Sequence, residues 1–255
     1  MSAEIVWLLL AGVGAGLTGS VAGLASLVSF PALLAAGLPP VAANVTNTVA
    51  LFGVTGGTVA GSQRELRGQG DRIRVLVLVS AAGGAAGAAL LLATPHEVFA
   101  AVVPWLIGAG SVLLIMRDRL RTWAATRSRE VQRAPRPVGR ALGWGAAVLV
   151  LGVYGGYFGA GVGIIALAAL ALERVEPLAV TNAVKNVATG SANAAAAIAY
   201  IVFAPVDWSA AVAVGLGALV GGYLGPAIVR VAPERPLRWL VATAGLVLAV
   251  HLAMS

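Results

Sequence analysis

The chain of 255 residues contains no cysteine. Disulfide frameworks, thiolate metal sites and cysteine nucleophiles are therefore excluded. Charge is scarce too, with only 11% of residues Asp, Glu, Lys or Arg, against roughly 25% in an average soluble domain. So few charges cannot cover a globular surface, which argues against a soluble enzyme, a disordered protein or a nucleic-acid module. Aromatic residues make up 6% of the chain, and lysine occurs once. What is plentiful is apolar surface and glycine: 59% of residues are hydrophobic, 33 are Gly, and the mean hydropathy is +0.92. This is the composition of an all-α polytopic membrane protein. At about 20 residues per spanning helix, there is room for roughly eight to ten helical segments.

The excess of 17 Lys+Arg over 10 Asp+Glu invites a nucleic-acid partner, but the placement of the charges opposes it. Nearly all the arginines fall in three short stretches, Arg64 to Arg74, Arg117 to Arg140 and Arg230 to Arg238. Apolar runs separate them at about 41–62, 75–93, 98–116, 178–203, 208–229 and 236–253. Each run is long enough to cross a hydrocarbon core of about 30 Å. Basic clusters between such runs mark cytoplasmic loops. The loops at Pro95–Glu97 and Asp207 lack Lys and Arg and are expected outside. Trp7, Trp144, Trp208 and Trp239 lie near span ends, where indole favours the interface. The N-terminus has no basic region, so no cleavable signal is expected.

Two further apolar stretches, 5–37 and 141–172, are interrupted by glycine. Gly16-Leu-Thr-Gly19-Ser-Val-Ala-Gly23 aligns without gaps to Gly152-Val-Tyr-Gly155-Gly-Tyr-Phe-Gly159. Each is followed by an apolar arm, a proline (Pro40 or Pro177) and a polar-studded span. Because equivalent loops carry opposite charge signatures, the expected fold is an inverted repeat of two halves. Each half is a glycine-broken helical hairpin plus three transmembrane helices. Residues 1–116 form the first repeat, 117–139 a basic cytoplasmic linker and 140–255 the second repeat. Broken helices at matching positions point to a transporter's binding site. Gly83, Gly84, Gly87, Gly221, Gly222 and Gly225 are instead expected to serve close helix packing. Gly19, Gly23, Gly159, Gly161 and Gly163 are candidates for the breaks themselves.

The single lysine, Lys185, lies inside the 178–203 span. At 100° per residue, Asn182, Lys185, Asn186, Thr189 and Asn193 share an arc of roughly 100° on one helix face, with Thr181 nearby. Asn44, Asn47, Thr48, Thr55, Thr58 and Ser62 fall on a similar arc of the 41–62 span. A charge at mid-membrane costs about 2.5–3.5 kcal/mol on insertion scales, which snorkelling recovers in part. No Asp or Glu lies within a span to neutralise it, because all ten fall in loops or at span ends. Lys185 among amides and hydroxyls therefore suits a mobile anion. The N-termini of the two broken helices would add free N–H groups and positive dipole ends. Asn193 and Ser62 are expected to bond between helices instead. Glu173 and Glu176, beside Arg174, read as a solvated turn.

With these motifs in place, the sequence resembles the TauE/SafE group of bacterial membrane anion permeases over nearly its whole length. The resemblance rests on Gly16, Gly19, Gly23 and Pro31 in the first half and on Gly152, Gly155 and Gly159-Ala-Gly161-Val-Gly163 in the second. Pro40-Val-Ala and Pro177-Leu-Ala then open the polar spans. It implies export of sulfite, or of an organosulfonate such as sulfoacetate, through a bacterial inner membrane by alternating access. Composition and spacing alone support a small anion and a membrane. Lys185 is then the electrostatic anchor, with Asn182, Asn186, Thr181, Asn44, Asn47 and Thr48 donating hydrogen bonds. No cofactor, metal or nucleic acid is expected, and exposed apolar faces leave room for a homodimer in the lipid. The alternatives are a carrier of other organic anions, a membrane-embedded enzyme acting on lipid phosphates, and a non-transporting scaffold.

Overall fold

A computed structural model of the chain describes residues 2–133, 138–228 and 234–254. Arg136 and Arg230, two of the residues expected in basic loops, lie outside the described residues. The described residues are helical throughout their regular structure, with no strand among them. Among the described residues, five helices are long and apolar enough to cross a membrane: Ala3–Ser20, Gly70–Ala93, His96–Leu120, Leu178–Phe203 and Trp208–Gly225. Large apolar side chains such as Leu78, Trp105, Leu142, Ile198 and Phe203 point outward. That exposure is far more than a soluble monomer tolerates. Together with the apolar helices, it makes the chain a multi-pass membrane protein.

The first broken stretch is α1 (Ser2–Ala22) followed by α2 (Ala25–Ala35). The break sits at Gly23, whose φ of 71° belongs to the left-handed region that a Cβ disfavours. Its N–H returns to Gly19 O at 2.8 Å, closing α1 with a left-handed cap. The arms are unequal: the 21 residues of α1 reach about 31 Å at 1.5 Å per residue, and α2 reaches about half that. Gly37, with φ 90°, ends α2 in a Schellman turn (Leu38 N to Leu33 O, 3.2 Å), and Pro40 opens the next helix.

The span expected over 41–62 is two helices, α3 (Pro40–Ala50) and α4 (Phe52–Gly61), with a bend at Leu51. No proline causes it. Thr48 and Thr55 donate to the carbonyls of Asn44 and Leu51, at 2.9 and 3.4 Å. Such back-bonding by hydroxyls bends helices, and Gly53 next to it offers no side chain to resist. A short α5 (Gln63–Leu66) leads into α6 (Gly70–Ala93) and α7 (His96–Arg133). The basic segment after residue 116 is therefore largely a helical continuation of α7.

The second half comprises α8 (Val138–Tyr157), a break, α9 (Val162–Glu173), α10 (Leu178–Phe203), α11 (Trp208–Ile228) and α12 (Glu234–Met254), α10 being one unbroken helix where α3 to α5 are three. Packing pairs elements of one half with those of the other. α1 lies along α11, and its counterpart α8 lies along α6; α4 meets α11, as α10 meets α6; α7 meets α12. Glycine makes these approaches possible. A Cβ on Gly16 or Gly221 would overlap backbone of the partner helix, as would one on Gly83, Gly84 or Gly87. Contact at backbone distance maximises dispersion where lipid supplies no hydrophobic drive. A cluster of Phe30, Phe99 and Phe158, with edge-to-face centroid distances of 5.3 and 6.2 Å, fills the space beside the second break.

Candidate functional site

The two breaks meet. Gly23 and Gly163 touch backbone to backbone, so neither could carry a side chain without displacing the other strand of chain. Around this crossing lies a cavity of about 70 Å³, counted as space open to the centre of a water-sized sphere. A single water requires about 10–15 Å³ by that measure, so several waters or one small ion fit.

Four kinds of group line the cavity. The first turn of α2 contributes Ala25 and Ser26, and that of α9 contributes Val162 and Gly163. These ends carry the positive dipole, although the N–H groups of Leu27, Val162 and Ile164 are already bonded to the carbonyls of Leu24, Gly159 and Gly161. Asn186, Thr189, Gly190 and Asn193 come from α10, and Val54, Thr55 and Thr58 from α4. Gly19, Gly23, Gly155 and Gly159, with the side chains of Leu51 and Phe158, complete the wall. No acidic residue is among the described residues that line it.

A broken helix also has a negative end, and the structure covers both. At the C-terminus of α1, Lys185 Nζ donates to Gly19 O at 3.5 Å, while the amides of Asn182 and Asn186 donate to Ser20 O at 2.9 and 3.3 Å. At the C-terminus of α8, the Asn44 amide donates to Tyr157 O at 2.9 Å and the Tyr200 hydroxyl to Gly156 O at 2.6 Å. Tyr154 donates to Ala160 O at 2.6 Å, pinning the turn between α8 and α9. The first break is thus capped by side chains of the other half, and the second by Asn44 of the other half together with Tyr200 and Tyr154 of its own. Asn44 and Asn182 play matching parts: each leaves its amide oxygen Oδ1 buried without a hydrogen-bond partner. A carbonyl end bound by a lysine and amides contributes little negative potential, whereas the N-terminal ends of α2 and α9 remain turned to the cavity.

The sequence-expected site residues therefore divide. Asn186, Gly23 and Gly159 line the cavity. Lys185, with none of its surface exposed, sits one residue away from it on the end of α1. Asn182 and Asn44 cap broken helices. Asn47 bonds to Ser26 at 3.3 Å and accepts a short bond from Ser29, holding α3 to α2. Thr48 Oγ1 is turned to its own helix, and Gly161, φ 77°, is the N-cap of α9. Thr181 donates to Glu176 at 3.2 Å, away from the cavity. Asn193 bonds across to Thr48 O at 2.8 Å and also faces the cavity.

One expectation is overturned. Glu173 and Glu176 are not a solvated turn, because Arg72 reaches across from α6 and holds both, at 2.6 and 2.9 Å. The cavity residues Ser26, Thr55, Thr58, Thr189 and Gly190 were not singled out from sequence as ligands. Their signal was present for Thr55, Thr58 and Thr189, which share the polar arcs.

Comparison with known proteins gives two matches. The profile of the family described as "Sulfite exporter TauE/SafE" matches residues 8–252. A protein of Sinorhizobium sp, "Probable membrane transporter protein ORF9", is 27% identical over 252 residues, covering 97% of this chain and 92% of that protein. No solved structure matches.

Proposed function

The chain belongs to the sulfite exporter TauE/SafE family, whose members are membrane transporters and not enzymes, and from that premise we propose that it exports a small sulfur oxyanion or organosulfonate across a bacterial inner membrane. The observation that carries this reading is the electrostatics of the cavity. Two helix N-termini open into it, both opposing carbonyl ends are bound by donors, and no described acid lines it. A helix N-terminus by itself favours anions, and two of them with six amide or hydroxyl side chains suit the several oxygens of a sulfite or sulfonate.

In this reading Lys185 is the electrostatic anchor and acts through α1. By placing its charge on Gly19 O it cancels the negative end of that helix, so the field in the cavity stays positive. Asn186 and Asn193 each keep a second amide hydrogen for substrate oxygens from α10, and the Ser26 hydroxyl donates from the opposite wall. The Thr55, Thr58 and Thr189 hydroxyls donate once they turn from the carbonyls of Leu51, Thr55 and Lys185. Asn182, Asn44 and Asn47 hold the breaks in shape; Thr48 and Thr181 stiffen the ends of the polar helices.

We read α1–α7 and α8–α12 as inverted repeats, on the strength of a glycine break opening each and of their exchanged packing, with α3 to α5 taking the place of α10 and the arginine-bearing loops inside. The paired contacts of α1 with α11 and α8 with α6 then divide the molecule into two bodies. These rock about the Gly23–Gly163 crossing to expose the cavity to each side in turn. A panel of sulfite, sulfate, sulfoacetate and carboxylates on detergent-purified protein tests the proposal by thermal shift. A bound anion at a hundred times its Kd adds about 2.7 kcal/mol to stability, a clear upward shift for sulfite or sulfoacetate. Stabilisation by carboxylates alone would replace the substrate class, and a response to no anion would remove the cavity from consideration.

A further inference from the structure

Arg72 stands in the first turn of α6 with 6% of its side chain exposed. Its Nε and Nη2 donate to Glu173 Oε2 at 3.1 and 2.6 Å, and its Nη1 donates to both oxygens of Glu176 at 2.9 and 3.1 Å. Glu173 ends α9, and Glu176 lies in the connection to α10, where it also accepts from Thr181. One guanidinium from the first half thus clasps two carboxylates of the second, and through Thr181 touches the helix that bears Lys185.

Directly beneath the clasp is an apolar plug. Leu76 is one turn along α6 from Arg72, and Leu170 is one turn before Glu173 on α9. With Val148, Val184 and Ala188 they form a separate buried cluster. A second cavity of about 30 Å³, lined by Leu76, Ser80 and Leu170 among others, shares Gly155, Val162 and Thr189 with the polar cavity. From the broken helices, a line of small and apolar residues therefore leads to the plug and ends at the clasp.

We propose that Arg72 is the latch of a gate on this side of the protein. Substrate passes only when Arg72 releases Glu173 and Glu176 and the Leu76–Leu170 plug parts. The proposal rests on reading the polar cavity as the substrate site and assigns the regulation of that site. Desolvation largely offsets the attraction within a buried ion cluster, so such clusters add little stability over apolar packing, and their best-attested use is in registry and switching. This cluster joins α6 to the end of α9 and to the α9–α10 connection, so it must let go before α9 can swing away from α6. On opening, its charges exchange each other for water, so neither side is left as a bare charge in an apolar setting.

The absence of cysteine makes the test direct, because one introduced thiol is the only one present. Ser80→Cys places it under the plug, and Ser29→Cys places a second reporter on α2, in a separate variant. Reaction with an anionic thiosulfonate reagent is followed in purified protein. The expected result is slow labelling of Ser80→Cys in the otherwise native chain, faster by about tenfold or more when Arg72→Gln is added, with Ser29→Cys unchanged. Arg72→Gln combined with Glu173→Gln and Glu176→Gln leaves no unpaired charge and gives the same acceleration if the single change fails to fold. An unchanged rate at Ser80→Cys in that neutral variant, or an equal rise at Ser29→Cys, overturns the latch. Labelling requires no substrate, so its outcome is independent of whether the anion panel succeeds.

Discussion

Replacing Lys185 by methionine removes the charge and keeps most of the stem volume, which makes Lys185→Met the sharpest probe of the site. The ammonium is fully buried and bonded to Gly19 O at 3.5 Å. Two consequences separate. For the fold, the desolvation cost of a buried charge is removed and an apolar group of similar size fills the space. The long bond to Gly19 O is lost, and a backbone acceptor with a second lone pair tolerates that within about 1 kcal/mol. The unfolding temperature without ligand should therefore move little. For binding, a unit charge about one helix diameter from an anion, roughly 10 Å, contributes about 1.7 kcal/mol at an effective dielectric constant near 20. That is about 15-fold in Kd, and the uncovered negative end of α1 adds to the loss. The assay is titration of purified protein with the best anion of the panel, read as thermal shift against concentration. Lys185→Arg should retain part of the affinity. An unchanged Kd in Lys185→Met, with the protein folded, would refute the anchoring role and leave the lysine as a helix cap only.

Further expectations concern the frame. Gly23→Ala sets a Cβ in the left-handed region and against the Gly163 backbone; strain and overlap together should destabilise by about 2–4 kcal/mol, visible as a lowered melting temperature in detergent. Tyr200→Phe strips the donor from Gly156 O, and a buried carbonyl left unsatisfied should cost about 1–3 kcal/mol; a melting curve within a degree of native would contradict the capping role. Asp207 lies outside the helices, and its carboxyl is held below the usual range by the Ala210 N–H and the Ser209 hydroxyl. Its stabilising contribution is therefore present above its unfolded pKa of about 4 and is lost as pH falls through the lower folded value. The melting temperatures of native and Asp207→Ala protein should differ near neutrality and converge in acid; a gap that widens below pH 4 would reverse the sign.

Much of this architecture is legible in residue order. Gly23 and Gly159 mark the breaks because no other residue takes a positive φ freely, and the glycine alignment found both. The glycines at 83, 84, 87 and 221 read as packing residues and lie at backbone contacts. The polar arcs placed Thr55, Thr58, Asn186, Thr189 and Asn193 on faces that do border the cavity. Less legible was what those faces meet. Lys185 looked as if it had no built-in partner because the search was for carboxylates. One partner is a carbonyl at a helix end 166 positions away, which no side-chain inventory records. The Leu51 bend also escaped notice, since threonine in an apolar run signals polarity before it signals curvature.

Composition by itself fixed the solvent of this protein, because a chain with so little charge must bury its backbone bonds in helices surrounded by lipid. Glycine spacing fixed where two of those helices stop. Which half closes which break was decided only in three dimensions. Asn44 finds Tyr157, Asn182 finds Ser20, and Arg72 finds Glu173 and Glu176 across separations of about a hundred residues or more. Periodicity tells which side of a helix is polar. It cannot tell which helix end, from the other half of the chain, will be packed against it.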